Sequence, residues 1–199
     1  MLFRKTVSLL LCCALLCGAA SCAKDSGSGK EEGDLPFEVT VGGGDVGSAA
    51  VEVDPDALVK GICEKYGLTE GFIFTSSSTE LGDYLDEDLI QSYYGDATDS
   101  PDFTKVADYC LYVDESDPDI IIDVGVFHMA DKSYADTLMQ YLQARIDVKI
   151  ENGARYTNID VATLKKSVVA KSKGGDYVYY VVSYNTAEIS EEIKSAVNG

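Results

Sequence analysis

Two stretches of this sequence decide its fold class. Lys105–Val113 and Ile120–His128 are both rich in strand-forming residues, and only the polar link Asp114–Asp119 (DESDPD) separates them. A parallel pair needs a crossover of about a dozen residues or more, so so short a link implies antiparallel strands. Ser167–Lys173 and Asp176–Tyr184 repeat the arrangement around Gly174-Gly175, a dipeptide suited to a tight hairpin turn. Helical periods surround these hairpins. Val59, Ile62, Cys63 and Tyr66 recur at i, i+3, i+4 and i+7, with Asp54 or Asp56 placed to cap the start and Gly67 to end the helix. Ala135, Leu138, Met139, Leu142, Ile146 and Ile150 line one face of a helix running from Asp131 to about Gly153. A short strand at Gly71–Thr75, a brief helix from Asp86 to Tyr94 and a last helix from about Ala187 to Val197 complete the order α-β-α-β-β-α-β-β-α. Hairpins separated by helices predict an α+β fold: a mainly antiparallel sheet of about four to five strands, packed against helices on one face.

The first residues read differently. Val7–Ala20 is apolar and follows Arg4-Lys5. It falls short of the roughly 20 residues a spanning helix needs and fits the core of a secretory signal. Ala19-Ala20-Ser21-Cys22 is similar to a bacterial lipobox; Cys12, Cys13 and Cys17 lack the small residue before the cysteine. The resemblance implies a lipidated Cys22 as the mature N-terminus. The chain then divides into a signal peptide (1–21), a lipidated cysteine and flexible tether (22–53) and one globular domain (54–199). The protein is expected on the extracytoplasmic face of the cell membrane, held by its acyl chains. Within the tether, Phe37–Val41 reads as a short strand, and Gly42-Gly43-Gly44 as a loop, since Asp45 follows where a phosphate cradle would want a helix and a Lys. Two cysteines remain in the domain, Cys63 and Cys110, neither in a CxxC pair. They are read as buried free thiols, with a disulfide as the alternative.

Charge narrows the partners. The chain has 34 acidic and 16 basic side chains, and loss of residues 1–21, which hold Arg4 and Lys5 and no acid, takes the formal charge from −18 to −20. Such a surface repels nucleic acid and anionic lipid headgroups. The membrane contact is therefore expected through the lipid anchor alone.

From Asp54 onward the chain resembles a bacterial lipoprotein family of unknown function (domain of unknown function 4358). The resemblance rests on the lipobox and polar tether, on Ile122-Asp123-Val124-Gly125-Val126-Phe127, on Arg145, on Tyr156, and on Gly174-Gly175-Asp176-Tyr177-Val178. It departs at Asp123, where the family pattern has Glu, and at Thr157-Asn158, where a Pro is expected. The resemblance implies a location and a fold, and no chemistry.

Asp123 is the one acid in an otherwise apolar strand, and Arg145 borders the apolar stripe of the helix that follows. A buried carboxylate needs a partner, so the two are expected to form a structural ion pair; as the base of a ligand pocket, the same pair would recognise a carboxylate. Four tyrosines share the last strand region. Tyr177 and Tyr179 lie on one face of it and Tyr180 and Tyr184 on the other, and an exposed pair would make an aromatic platform. Tyr177, Tyr179 and Asp123 are thus the candidate ligand surface. His128 ends its strand with no GxSxG serine to serve, and a single His cannot supply a multi-imidazole zinc site. The acid-rich stretches Asp83–Asp88 and Asp114–Asp123 lack the glycine and spacing of a calcium loop. No catalytic residue, metal site or cofactor is expected. These features predict a non-catalytic module that binds a protein, peptide or cell-wall ligand. The alternative is a carboxylate- or metal-dependent enzyme of the cell envelope that uses Asp123.

Overall fold

In the computed structural model, which describes residues 52–96, 98–117, 120–156 and 159–199, the expected helix signals act where they were read. Asp54 accepts a hydrogen bond from the Asp56 N–H and opens α1 (Pro55–Tyr66), with Pro55 in the first turn, where its missing N–H costs nothing. Gly67 ends α1 in the left-handed region, φ 67°. β1 (Phe72–Thr75) follows, then α2 (Glu87–Tyr94), which Asp86 caps by accepting from the Leu89 N–H. β2 (Val106–Asp117) and β3 (Ile120–Met129) form the first hairpin. Asp131 accepts from the Ser133 N–H and starts a turn that leads into α3 (Ala135–Gly153). α4 (Val161–Leu164), a single turn capped by Asp160, is too short to show a period and was not expected. β4 (Val168–Lys171) and β5 (Tyr177–Val182) make the second hairpin, and α5 (Thr186–Asn198) ends the chain. The signal run, the lipobox with Cys22, the glycine triplet and the strand expected at Phe37–Val41 lie outside the described residues.

The five strands form one sheet in the order β1-β2-β3-β5-β4, each antiparallel to its neighbours. β3 and β4 therefore run in the same direction with β5 between them, and α3 with α4 makes that crossover. Opposite Gly125 stands Tyr180. A Cβ at Gly125 would lie 2.5 Å from the Tyr180 ring, so the glycine makes room for the aromatic side chain that floors one face.

The helices cover both faces, a correction to the one-faced arrangement expected from the element order. Tyr109, Leu111, Phe127, Val178 and Tyr180 pack against α2, α3 and α4. The alternate residues Cys110, Tyr112, Val126, Tyr179 and Val181 pack against α1 and α5. The reason lies in β5, YVYYVV, which has no polar position to give to solvent: all six of its residues are buried. A strand apolar on both sides needs a layer on both sides.

Leu142 on α3 and Ile193 on α5 are each fully buried, on opposite faces. Leu142→Ala and Ile193→Ala should each cost about 2–5 kcal/mol in urea unfolding. A neutral Ile193→Ala would mean that α5 is not part of the core.

Cys63 and Cys110 are both buried as free thiols in the cluster under α1 and α5. Burial pushes the Cys63 thiol up to about 11, and it pushes Cys110 higher still, with the Asp56 carboxylate adding to it. Since thiolate is the reactive form, neither should react with a disulfide reagent at pH 8 in the folded protein, and both should react once it is unfolded in guanidinium. Rapid modification of the native chain would refute the burial of both.

Candidate functional site

α3 carries two stripes. One, through Leu138, Leu142 and Ile146, faces the sheet. The other, through Thr137, Tyr141, Ala144, Arg145 and Val148, faces the C-terminal end of α2 and leaves between the two helices a cleft of about 660 Å³. Tyr93, Tyr141 and Val148 supply apolar wall, and the two ends of the cleft differ in charge.

At the basic end lie Arg145 and Lys149, one turn apart on α3. Arg145 Nε donates to Asp123 Oδ2 at 3.0 Å, and Lys149 Nζ sits 3.0 Å from the same oxygen. The Arg145 and Asp123 side chains are 7% and 1% exposed, so Asp123 is sealed from water and Arg145 shows only an edge to the cleft. Burial alone would lower the Arg145 pKa; the adjoining Asp123 carboxylate more than reverses this and keeps the guanidinium charged. Its Nη1 donates to the Tyr93 carbonyl at 3.3 Å, capping the C-terminal turn of α2 from outside, where a cation suits the helix dipole. The guanidinium also lies over the Tyr93 ring, 4.4 Å from its centroid. On the solvent side, Glu115 Oε1 stands 3.3 Å from both Arg145 Nη2 and Lys149 Nζ. Beneath the cluster, the hydroxyls of Tyr94 and Tyr180 pair at 3.2 Å, and burial pushes both phenols up.

At the acidic end, the loop after α2 folds on its own carboxylates. Asp96 Oδ1 accepts from the Thr98 and Asp99 N–H groups and the Thr98 hydroxyl, which hold the Asp96 carboxyl below its ordinary range. Tyr141 donates its hydroxyl to Asp99 Oδ2, which ties this loop to α3.

The expected Asp123–Arg145 pair is therefore present. The expected ligand surface is not: Tyr177 and Tyr179 are 2% and 3% exposed and lie on the opposite face of the sheet from Asp123, which is itself sealed. Tyr177 stacks on His128 with ring centroids 4.8 Å apart, and its hydroxyl bonds the Val53 N–H and carbonyl. It is a core residue that fastens the entering chain. Tyr184 is exposed, but it stands alone beyond the end of β5. His128 Nδ1 lies 3.6 Å from Asp108 Oδ2 at a second depression of about 480 Å³ beside α1. There Ser77 donates to Asp56, while Ser76 Oγ contacts the Tyr109 backbone. Among the described residues, no three His, Cys, Asp or Glu side chains converge to hold a metal. Two cations beside Asp123 Oδ2 would repel one there.

Reading from the sequence missed Lys149, Glu115 and Tyr93. Lys149 had a usable signal, since it follows Arg145 by four residues and must share its side of α3. Glu115 and Tyr93 had none, because they reach the cluster from the end of a hairpin and the end of another helix. The chain matches no family model, no curated protein and no solved structure.

Asp123→Asn leaves Arg145 and Lys149 buried against Glu115 alone and should cost about 3–5 kcal/mol. Arg145→Met should cost less, because Lys149 still neutralises Asp123. The double variant should lose less than the sum of the two. Urea midpoints for the three variants check this, and an Asp123→Asn protein as stable as the parent would refute the reading.

Proposed function

We propose that this chain is an extracytoplasmic lipoprotein, anchored through Cys22, whose domain is a non-catalytic binding module with the α2–α3 cleft as its ligand site. The observation that carries the reading is the construction of that cleft. Its volume suits a small ligand, its walls are apolar and aromatic, and its polar groups are held rigidly. Arg145, the most constrained of them, is fixed by Asp123, the Tyr93 carbonyl and Glu115 at once. Such a group binds without the entropy of first being ordered. It also makes a poor catalyst. Asp123 cannot reach a substrate to act as base or nucleophile, and His128 lies across the sheet from the cleft.

No helix among the described residues is long and apolar enough to cross a membrane, and the proposed attachment is covalent lipid. Cys22→Ala should abolish fatty-acid labelling and leave the precursor unprocessed or shed. For the cleft, Ala144 offers a clean probe: it is exposed on α3 and lines the site. Ala144→Trp should fill the cleft while the melting temperature stays within a few degrees. It should abolish binding of any ligand recovered by screening cell-wall fragments and peptides against the parent protein. Unlabelled parent protein, or binding unaffected by Ala144→Trp, would refute the anchor or the site respectively.

A further inference from the structure

The side chains that line the cleft are cationic at one end and acidic at the other, along one helix, and that polarity selects a ligand class. We infer that the cleft binds a short peptide with free ends, laid extended along α3, its carboxylate at Arg145 and Lys149 and its amine at Asp96 and Asp99; the inference rests on the cleft being the ligand site.

Glu115 is the first reason. It already places a carboxylate across Arg145 Nη2 and Lys149 Nζ, at 3.3 Å from each. Those contacts are longer than the usual 2.7–2.9 Å of a charge-assisted bond, roughly speaking, and the Glu115 side chain is 51% exposed. Asp123, from below, holds the cations in place; Glu115, from above, occupies the position an incoming carboxylate would take. Donors remain to receive one. Arginine has five N–H groups, and three bonds engage those of Arg145. Lysine has three, and Lys149 faces two carboxylates.

Length is the second reason. From Tyr141, beside Asp99, to Lys149 is about 12 Å along the helix axis, and from Thr137 about 18 Å, at roughly 1.5 Å per residue. An extended chain advances about 3.3 Å per residue, so the charged ends of a tripeptide to pentapeptide match that interval. Between the ends, Tyr93, Tyr141 and Val148 give apolar contact for side chains, while Ser92 and Gln140 offer hydrogen bonds to peptide groups. The amine has a further advantage. A chain of formal charge −18 draws cations and repels free anions, so the ammonium end brings the carboxylate to its cations.

The test uses the mature full-length protein in detergent and a pool of tetrapeptides built from alanine, valine and phenylalanine, read by saturation-transfer NMR. The pool with free ends should bind. Amidating the C-terminus or acetylating the N-terminus should each weaken it tenfold or more. Glu115→Gln, which removes the built-in competitor, should tighten the free pool several-fold and leave the amidated pool unchanged. Ala144→Trp should abolish binding. Blocked and free pools that bind alike, yet are lost in Ala144→Trp, would overturn the ligand class and leave the cleft standing. Free-pool binding that survives Ala144→Trp would overturn the cleft itself. No binding of the free pool even to the Glu115→Gln protein overturns the proposal.

Discussion

A carboxylate in the middle of a sheet is the constraint on which this structure depends. Asp123 sits in β3, the central strand, where water cannot share its charge, and Arg145 and Lys149 both reach its Oδ2 at 3.0 Å. An interior of this kind does not make such a cluster cheap: taking the ions out of water offsets most of their attraction, and an apolar replacement is often as stable. What the cluster supplies is position. Two cations one turn apart on α3 meet one oxygen only at one rotation of that helix, and the Arg145 bond to the Tyr93 carbonyl then sets where α2 ends. A hydrophobic stripe alone would let α3 slide or roll by part of a turn; the cluster does not. Arg145 and Lys149, which orient α3 through Asp123, also line the cleft, so fold and site share a single device.

That sharing explains which parts were legible in the sequence. An acid amid Ile122, Val124 and Val126 demands a counter-charge, and Arg145 beside Leu142 and Ile146 was the nearest one on offer, so the pair could be read from burial logic alone. Lys149, four residues after Arg145, was legible from that spacing, but it also falls beside Ile146 and Ile150, where a long side chain passes for a boundary residue. Glu115 depends on where a hairpin ends, and β2 runs on to Asp117, beyond the Val113 limit read from composition, while β3 begins at Ile120 as expected. The tyrosines misled for a different reason. A phenol is buried at little cost once its hydroxyl finds a partner. Tyr177 finds Val53 and Tyr180 finds Tyr94, partners distant in sequence that no alternation pattern reveals. The same YVYYVV run that looked like an aromatic platform was the signal for a second layer of helices.

The two layers also separate the chain's entry from the site. Val53 is held against the α1–α5 side of the sheet by the Tyr177 hydroxyl, at 2.8 Å through its N–H and 3.1 Å through its carbonyl. The cleft opens on the other side, between α2 and α3. Between the two layers lies the sheet itself, whose β3 and β5 are paired from Asp123 to His128. Asp123 belongs to that same paired stretch and keeps Arg145 fixed from beneath. A sheet covered on both faces thus keeps the cleft in one layer and the entering chain in the other, a separation that a sheet covered on one face alone could not provide.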